Sequence, residues 1–551
     1  MKPLFRSSKL MLWCISIWLI ACAGIRYFSL PDEGRYGDIS RAMLQSGDWL
    51  VPRLNGLPFM HKPPLLHWIS SVLIEVFGVH VWVLRLVPTL AGIMMLVGLF
   101  WFLKKHCNER IAQLSVVILA TSLLFFGSSQ YVNHDLLLAC WITLTILCFA
   151  DFTLSGEKSV LWMGYVACAL GFLTKGLIGI LIPGMVILLW VLASKQWKKI
   201  PSLLNPIGLL IFCVIALPWV YLMHLKYPAF LQYFFIDQQF SRFSSDQFNN
   251  KLPWPFYLLC LLISFLPWFF VSQFKFSKQD FSQSLGPSIL TLMLIWFVSV
   301  TTFFSIPPSK LAGYILPATP PLAVFIAIMV DRVLTTNKIN RFQTWATPIL
   351  VLVVGVAFIS LPFTARPKNL LYVNITALYS LGAGILIFSI LLIFYYLKQR
   401  ISYFTLMFSM AIMLCMSVSL GVRILDVQNN ANQVSFQKNI TANMPIVFYH
   451  NYFYDVPFLL NLQKPVYLVD DWENASQDSS SEQLKDGLIF EPERRQYLWS
   501  DSILDQKIKS GEALVVLARS NSFTPHYANV QVLHYRNYDV YFFNTIGPVQ
   551  K

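Results

Sequence analysis

The sequence predicts a polytopic α-helical membrane protein that ends in a small α/β domain. Hydrophobic residues make up 56% of the 551 residues, charged residues make up only 12%, and the mean hydropathy is +0.58. Soluble domains carry about 25% charged residues, so most of this chain belongs in a bilayer. Polar and charged residues return after Arg423. We therefore expect a membrane region over residues 1–424 and an α/β domain over residues 425–551.

Apolar runs between clusters of charged residues predict thirteen transmembrane helices. A helix needs about 20 mostly apolar residues to cross the hydrocarbon core. The second run is long enough to contain a bent or interfacial start before its span. The predicted spans are 10–28, 64–103, 111–128, 133–152, 160–173, 176–194, 204–224, 254–273, 286–304, 312–330, 345–362, 373–397 and 402–422.

The distribution of basic residues predicts a cytoplasmic N-terminus. Lys2, Arg6 and Lys9 precede the first span, and cytoplasmic loops are enriched in lysine and arginine. With thirteen crossings, the C-terminal domain and the loops 29–63, 225–253 and 305–312 lie on the outer side of the membrane. The basic clusters 104–110, 195–199, 275–278, 332–341 and 398–400 then all lie inside. The net charge of +14 therefore reflects topology, and we expect no nucleic-acid partner.

Two short patterns offer an alternative for the N-terminus. Leu19-Ile-Ala-Cys22 is similar to a lipoprotein cleavage site, and Ala21-Cys-Ala23 is similar to a signal-peptidase site. Small residues and cysteine are also ordinary inside membrane helices, and the apolar run continues beyond Cys22. We favour an uncleaved first span because thirteen crossings agree with the loop charges.

Several well-known motifs are missing from the sequence. There is no P-loop, no Rossmann glycine pattern and no Gly-x-Ser-x-Gly, which argues against ATP-driven transport and α/β-hydrolase chemistry. All nine cysteines lie at or before Cys415 without metal-ligand spacing, so the exported domain has no disulfide.

Short apolar runs after residue 424 predict the strands of the α/β domain. Each run is only a few residues long, and polar or helical segments separate them, as in small α/β domains. The predicted strands are 446–449, 465–469, 488–490, 513–518 and 530–535.

The first outer loop contains an unusual density of charge. Asp32 and Glu33 follow the first span, and Arg35, Asp38 and Arg41 come after them at helical spacing. Such spacing predicts a short amphipathic helix on the membrane surface, in which Asp38 pairs with Arg41 and Asp32 faces a polar headgroup. The simpler alternative is an acidic pair that only marks the membrane interface.

A lysine before two prolines is the second signal of this loop. In His61-Lys62-Pro63-Pro64 the prolines fix an extended turn and start the next helix. A lysine on so rigid a backbone suits a point contact to phosphate. A lysine that merely anchors the interface is the alternative.

Further polar residues lie at the outer ends of later spans. Each alone is explained by interfacial anchoring, but basic residues on the outer side oppose the usual bias and together indicate an anionic ligand. These residues are Asp135 in Asn133-His134-Asp135, Lys175 in Thr174-Lys175-Gly176, Arg242 among aromatic residues, and Lys310 and Tyr314 in the 307–317 segment.

These motifs resemble those of the bacterial aminoarabinose transferases of lipid A. More widely they resemble the GT-C membrane glycosyltransferases that are related to protein O-mannosyltransferases. The resemblance covers nearly all of the membrane region in the same order and is weak over the C-terminal domain. It rests on Asp32-Glu-x-Arg-Tyr, Gly47-Asp-Trp-x-x-Pro-Arg-x-Asn-Gly, Lys62-Pro-Pro-Leu-x-x-Trp, Leu173-Thr-Lys-Gly and Ser309-Lys-Leu-x-x-Tyr-x-Leu-Pro.

The resemblance implies a bacterial inner-membrane enzyme that uses a sugar on undecaprenyl phosphate and acts on the periplasmic face with inversion. Lipid A or another envelope glycan is the implied acceptor, and membrane lipid surrounds the enzyme. Asp32, with Glu33 beside it, and Asp135 match the acidic catalytic positions. The positions implied to hold phosphate are Arg35, Lys62, Lys175, Arg242, Lys310 and Tyr314.

The chain departs from this family at the positions that bind its metal. The family's glutamate before Lys-Pro-Pro is His61 here, and its Glu-His pair is Gln238-Gln239. We therefore expect no metal site and no cofactor. These departures also leave the sugar, 4-amino-4-deoxy-L-arabinose in the family, and the acceptor open.

Three classes of function remain at this stage. A glycosyltransferase explains the outer basic residues best, whether its acceptor is lipid A, a core sugar, O-antigen or protein. A flippase of lipid-linked sugar is the second class, but it requires charged residues at mid-membrane and two related halves, which the sequence lacks. A structural or sensory protein leaves the outer lysines unexplained.

Overall fold

Membrane-length helices dominate the first of two units into which the chain divides. The first unit comprises Met1–Arg26, Arg85–Tyr221 and Phe235–Leu425, and the second comprises Tyr27–Leu84, Leu222–Phe234 and Asp426–Lys551. The computed structural model describes residues 4–241, 251–272, 284–336, 339–364, 373–425, 436–440, 444–472, 484–525, 530–535 and 538–544. The predicted division at residue 424 concerns membrane topology and stays a prediction.

Eight helices in the described part of the chain are long and apolar enough to cross a membrane. Glu109–Ala120 and Leu123–Ser129 form a pair bent by 66° that makes a ninth if it is one span. The eight are Val81–His106, His134–Ser155, Pro206–Lys226, Pro287–Ser305, Ala312–Thr336, Arg341–Phe363, Ile375–Leu397 and Tyr403–Leu425.

The other predicted spans fall on shorter or interrupted helices, so the number thirteen stays a prediction. The first, fifth and sixth correspond to Ser8–Cys22, Lys158–Lys175 and Ile178–Ala193. The predicted span 254–273 is broken into Phe256–Ser264 and Leu266–Val271. The long run 64–103 divides into Leu65–Phe77 and Val81–His106, and Gly78 between them has a φ of 83°. A glycine is needed there because other residues rarely adopt a positive φ.

Two glycines bring the fifth and sixth predicted spans into direct backbone contact. A Cβ on Gly179 would lie 2.4 Å from the carbonyl carbon of Gly171, so neither position accepts a side chain without moving the backbone. Gly176, with a φ of 74°, makes the turn between the two helices. Small residues commonly allow such close crossings in membranes. The crossing fixes the position of Lys175, the last residue of the Lys158–Lys175 helix.

The second unit is built on a six-stranded mixed sheet. The spatial order of its strands is Leu498–Trp499, Tyr467–Val469, Ile446–Tyr449, Leu514–Arg519, Tyr538–Phe543 and Gln531–His534. The first four strands are parallel, and the last two are antiparallel to their neighbours. The α/β class predicted for the C-terminal residues is therefore confirmed.

One strand prediction is wrong, and two strands of the structure were not predicted. The run 488–490 lies at the end of the 3-10 helix Asp486–Ile489 instead of in a strand, since a run of three apolar residues carries no period that separates the two. The strand Leu498–Trp499 was not predicted because it is only two residues long. Tyr538–Phe543 was also missed, since every one of its residues is buried and alternation is absent.

Different parts of the chain cover the two faces of this sheet. Leu504 and Ile508 of the helix Asp501–Lys509 pack on one face with Val447 and Val516. The other face presents Phe448, Leu468, Leu517, Val540 and Phe542, and it packs against residues from the first outer loop: Ile39, Leu54, Leu57 and Phe59. The loop therefore supplies part of the layer that covers this face, beside Tyr452 and Val456 of the C-terminal residues.

A hairpin with a two-residue turn in this loop docks at the start of the strand Tyr467–Val469. Arg53–Leu54 pairs with Leu57–Pro58, and Asn55 and Gly56 between them have φ values of 51° and 77°, as an Asn-Gly turn requires. The Asn55 amide donates to the Val466 carbonyl at 2.9 Å and accepts from the Val466 N–H at 2.8 Å. The Asn55 side chain thus makes the two backbone hydrogen bonds that a neighbouring strand would make at Val466, just before the strand Tyr467–Val469.

The structure also contains the helix that the loop spacing predicts. It spans Asp32–Ser46, and Arg41 Nη2 lies 2.6 Å from Asp38 Oδ1 in the predicted pair. Half of the helix is buried, and Gly34 lies against the backbone of Tyr454 and Asp455, where a Cβ would meet Tyr454 at 2.8 Å.

The pH dependence of protein stability tests the burial of Asp455 in this packing. Burial raises the pKa of its carboxyl to about 6, from an ordinary value of 3.8. Because the unfolded carboxyl ionises above pH 3.8 while the folded one keeps its proton up to about pH 6, stability falls as the pH rises between these two values. The penalty reaches about 3 kcal/mol at pH 7 for a shift of roughly two units.

We expect Asp455→Asn to become more stable relative to the wild type as the pH rises from 4 to 7. Thermal unfolding of the purified protein measures this difference, with proteolysis of the second unit as the readout. A constant difference between pH 4 and pH 7 would contradict the assignment of the buried carboxyl. Asp505→Asn, on the helix Asp501–Lys509, is the control for loss of a carboxylate.

Candidate functional site

Asp135 is held at the start of its helix by its own neighbours. Asn133 caps the helix His134–Ser155, and its side-chain oxygen accepts the Asp135 N–H at 2.9 Å. The Asn133 amide donates to Asp135 Oδ2 at 3.1 Å, and Lys175 Nζ donates to Oδ1 at 2.5 Å. Both carboxylate oxygens therefore have partners, and only 11% of the side chain is exposed.

Lys175 reaches Asp135 from the end of the neighbouring helix. It ends Lys158–Lys175, where the helix dipole favours a cation. Its ammonium also lies 4.1 Å from the centre of the Tyr314 ring, within the range of a cation–π contact. The Lys175 ammonium therefore contacts both the Asp135 carboxylate and the face of the Tyr314 ring.

Gly313 allows the segment that carries Tyr314 to approach Asp135. A Cβ at Gly313 would lie 2.3 Å from Asp135 Oδ2 and 2.9 Å from its Cγ. Any side chain at this position must displace the carboxylate or the 3-10 helix Ala312–Ala318. The structure thus brings Asp135, Lys175 and Tyr314 together, as the sequence-based prediction of a common ligand requires.

Lys310 is a buried cation four residues before Tyr314. It is only 3% exposed, and its ammonium donates to the carbonyls of Leu252 and Pro307 at 3.1 and 2.6 Å. Within the described ranges it has no carboxylate partner. A buried charge is costly unless an opposite charge compensates it, so this geometry favours an anion as the missing partner.

Tyr257 is a buried phenol beside the same segment. The side chain is fully buried, its ring lies 6.5 Å from that of Phe304, and Phe304 lies 6.1 Å from Tyr314. Its hydroxyl makes no well-formed hydrogen bond to any described residue. Such an unsatisfied hydroxyl in a native fold points to a further ligand group.

An apolar groove of about 540 Å³ runs along the outside of the same helix bundle. Residues of Ile178–Ala193 and Pro287–Ser305 line it, including Met185, Leu189, Val298 and Phe303. Phe303 contacts Phe304, whose ring neighbours Tyr314. Ile306 also lines the groove and directly precedes Pro307, whose carbonyl oxygen accepts a hydrogen bond from the Lys310 ammonium.

Asp32 and Arg35 form a second polar group, within the second unit. Arg35 Nη2 lies 3.5 Å from Asp32 Oδ1, and the guanidinium lies 5.1 Å from the centre of the Tyr454 ring. Burial raises the pKa of the Tyr454 hydroxyl, so the ring stays neutral. Arg35 Nε is buried and has no hydrogen-bond acceptor among the described residues. Asp32 remains 34% exposed and open to a ligand.

Glu33 and Lys62 differ from this pair in their surroundings. Glu33 is fully buried, and its Oε2 accepts the Ser29 N–H at 2.8 Å, which ties it to the start of its helix. Lys62 is half-buried. Their predicted roles in catalysis and in phosphate binding stay predictions.

His61 binds a residue that the sequence analysis did not single out. Its Nε2 lies 3.1 Å from Asp486 Oδ2, and its ring stacks on Phe59 at 4.2 Å. With one nitrogen bound to a carboxylate, His61 does not form part of a metal-binding triad among the described residues. The prediction that no metal is needed stays a prediction.

Arg242 lies outside the described residues, and so do the side-chain contacts of Gln239. Gln238 is half-buried. Sequence reasoning missed Tyr257 and Gly313. Gly313 occupies an unassigned position inside the Ser309-Lys-Leu-x-x-Tyr motif, so its signal was present, whereas Tyr257 lies in an ordinary apolar run without one.

Comparisons with known proteins agree with the motifs. Residues 7–234 match the Dolichyl-phosphate-mannose-protein mannosyltransferase family. A protein of Edwardsiella ictaluri named Undecaprenyl phosphate-alpha-4-amino-4-deoxy-L-arabinose arabinosyl transferase is 32% identical over 312 residues, 56% of each chain. The protein of that name from Aeromonas hydrophila is 30% identical over 350 residues, 62% of this chain and 63% of its own. The match thus spans less than two thirds of these relatives.

A solved structure shows the fold over the whole chain. ArnT from Cupriavidus metallidurans bound to undecaprenyl phosphate is 21% identical, with a TM-score of 0.80 over 98% of this chain and 99% of that one. Its apo state gives a TM-score of 0.79 over the same shares. The predicted GT-C membrane fold is confirmed, as is the resemblance to the aminoarabinose transferases. The chain is a multi-pass membrane protein.

A double-mutant cycle tests the Asp135–Lys175 pair. Asp135→Asn and Lys175→Met each leave a buried charge without its partner, which typically costs about 3–5 kcal/mol. We expect the double variant to be less destabilised than the sum of the two by about 1–3 kcal/mol. Thermal unfolding in detergent provides the measurement, and additive effects would show that the two charges do not interact. Lys104→Met with Glu109→Gln, an exposed ion pair, is the control.

Proposed function

We propose that this protein is an inverting glycosyltransferase that uses a sugar carried on undecaprenyl phosphate. The sugar is proposed to be 4-amino-4-deoxy-L-arabinose, the sugar in the names of the similar transferases. The acceptor is proposed to be lipid A or another glycan of the envelope. The reaction takes place on the periplasmic face of the bacterial inner membrane, with the N-terminus in the cytoplasm.

One observation carries this proposal: two largely buried lysines and an apolar groove lie in the same helix bundle. Lys310 has no carboxylate partner among the described residues, and Lys175 contacts the ring of Tyr314, four residues after Lys310. A lipid phosphate has the two matching parts, an anionic head and an apolar chain. Lysine ammonium groups are common phosphate ligands, and a groove lined by leucine, valine and phenylalanine suits a hydrocarbon chain.

The chemistry requires stabilisation of the departing phosphate. Undecaprenyl phosphate leaves the anomeric carbon with a developing negative charge, and fixed cations in a water-poor site stabilise it. We assign this role to Lys175 and Lys310, with Tyr314 holding Lys175 in place. Arg35, Lys62 and Arg242 are proposed as further contacts to donor or acceptor phosphate.

The two predicted catalytic aspartates receive different roles. Both oxygens of Asp135 have protein partners, so we propose that it orients Lys175 and takes no proton. Asp32 is partly exposed and is held by Arg35, which suits a general base. Such a base contributes about 10²–10⁴-fold when the acceptor is a hydroxyl, and little when the acceptor is an ionised phosphate. Glu33 supports the start of the Asp32 helix.

The experiment that tests the function is mass spectrometry of lipid A and of total envelope glycans. We compare cells that have the gene, cells that lack it and cells with Asp32→Ala. Loss of a sugar from lipid A phosphate in both mutants is the expected result and identifies the sugar. Loss of a sugar from another glycan would support a transferase with a different acceptor. Unchanged glycans, with lipid-linked sugar accumulating on the cytoplasmic side, would contradict the transferase and indicate a flippase.

Lys310 provides a test of the anion site. We expect Lys310→Met to raise the KM for the undecaprenyl-linked donor by about 10-fold or more, because a hydrogen bond to a charged group contributes about 1.5–3 kcal/mol. Lys310→Arg retains the charge and should recover part of the loss. Steady-state kinetics in detergent measure both.

A distant lysine gives the matched control for this test. Lys398→Met removes an exposed lysine just after the helix Ile375–Leu397 and should leave the donor KM unchanged. An unchanged donor KM in Lys310→Met would refute the assignment of Lys310 to the donor phosphate.

A further inference from the structure

Two polar clusters meet on one short segment of the C-terminal domain, residues 486–491. At its start, Asp486 Oδ2 accepts the Tyr233 hydroxyl at 3.2 Å and lies 3.1 Å from His61 Nε2. His61 belongs to the first outer loop, and Tyr233 belongs to the 222–234 segment. One carboxylate therefore contacts two pieces of chain that are distant in sequence.

Glu491 repeats this arrangement at the end of the segment. Arg53 Nη1 and Nη2 donate to its two carboxylate oxygens at 2.7 and 2.8 Å, in the bidentate geometry that is strongest for this pair. The Tyr227 hydroxyl donates to Oε1, and Arg494 Nε donates to Oε2 at 3.1 Å. Burial opposes ionisation, but the hydrogen bonds from Arg53 and Tyr227 prevail and hold the pKa of Glu491 at about 2. Glu491 is therefore charged at every working pH.

Close packing joins the two clusters. The Phe490 ring makes edge contacts with Tyr227 and Tyr233, with centroid distances of 5.5 and 5.1 Å. Gly487 lies so near the first outer loop that a Cβ would meet the Pro58 carbonyl oxygen at 2.8 Å. Residues 486–491 thus contact both the first outer loop and the 222–234 segment, near the start and at the end of the six residues.

The position of His61 gives this contact a consequence for Lys62. Lys62 follows His61 directly and precedes two prolines, whose rings fix the backbone. Once the His61 ring is stacked on Phe59 and bound to Asp486, the backbone of Lys62 is held from both sides. A lysine held in this way loses little conformational freedom when it binds an anion.

We propose that residues 486–491 are a positioning segment, in which Asp486 and Glu491 hold the first outer loop and the 222–234 segment so that Lys62 meets the donor phosphate. The C-terminal domain is thereby a required part of the enzyme. This inference rests on the proposed transferase function. Asp486, Glu491 and Arg53 act through Lys62 and do not touch the substrate.

Exchange of the charges between Arg53 and Glu491 tests this role. The variants are Arg53→Glu, Glu491→Arg and the double variant with both changes, in the full-length protein in detergent. Each single change places two like charges together in a half-buried site, so the loop shifts. A shift of about 1 Å can cost about 100-fold in rate. We expect each single variant to lower kcat/KM at least 10-fold, mainly through the KM for the undecaprenyl-linked donor.

The double variant should recover part of the lost kcat/KM, because the opposite charges again face each other, whereas Arg494 and Asp48 then lie beside like charges and prevent full recovery. The control is the same exchange at Lys507 and Glu512, an exposed ion pair of the C-terminal domain at 2.8 Å. This control should leave the donor KM unchanged. Folded single variants with a wild-type donor KM would overturn the inference, and so would a folded double variant that is no better than the singles.

A milder change covers the case in which the charge-reversal variants do not fold. Glu491→Gln keeps the shape and removes the charge. It should raise the donor KM and lower the melting temperature less than the charge reversals do, and an unchanged donor KM in the folded variant would overturn the inference. Wild-type protein is assayed alongside: an active wild type with unaffected variants refutes only the positioning role, whereas an inactive wild type refutes the proposed function and the inference together.

Discussion

The second unit depends on the burial of one face of its sheet. Within the described residues, the helix Asp501–Lys509 covers one face of the six-stranded sheet. The opposite face carries Phe448, Leu517 and Phe542, and a face of that kind is unstable in water unless another layer covers it. The first outer loop supplies much of that layer, together with Tyr452 and Val456 of the C-terminal domain. The first outer loop and the C-terminal domain therefore form one hydrophobic core, although about 350 residues separate them in sequence.

In the first unit, charges near the membrane are tolerated because each is held by specific partners. Asp135 and Lys175 neutralise each other, and Asn133 and Tyr314 occupy the remaining directions. Lys310 is held differently, by two carbonyl dipoles that stabilise a cation without cancelling its charge. This difference distinguishes the two lysines: Lys175 is part of a neutral group, whereas Lys310 has no carboxylate partner in the part of the chain that the structure describes.

The sequence predicted more of the fold than of the site. Apolar runs located the membrane helices closely because hydropathy over about 20 residues is a strong signal. The Asp38–Arg41 pair followed from helical spacing alone. Glu491 and Asp486 could not be found in this way, since their partners Arg53, His61, Tyr227 and Tyr233 lie more than 250 residues away in sequence. Tyr257 was missed for a related reason: its unsatisfied hydroxyl exists only in the folded packing.

The shared core of the second unit also affects the order in which the molecule can form. Ribosomes release the chain from the N-terminus, so the residues around Ile39 and Leu57 are made long before the strands Leu514–Arg519 and Tyr538–Phe543 that they cover. Until those last strands exist, the loop has apolar side chains and no partner for them. Completion of the first outer loop is therefore one of the last events in folding, and a ribosome that stops before the final strands leaves an otherwise inserted protein whose second unit is unfinished.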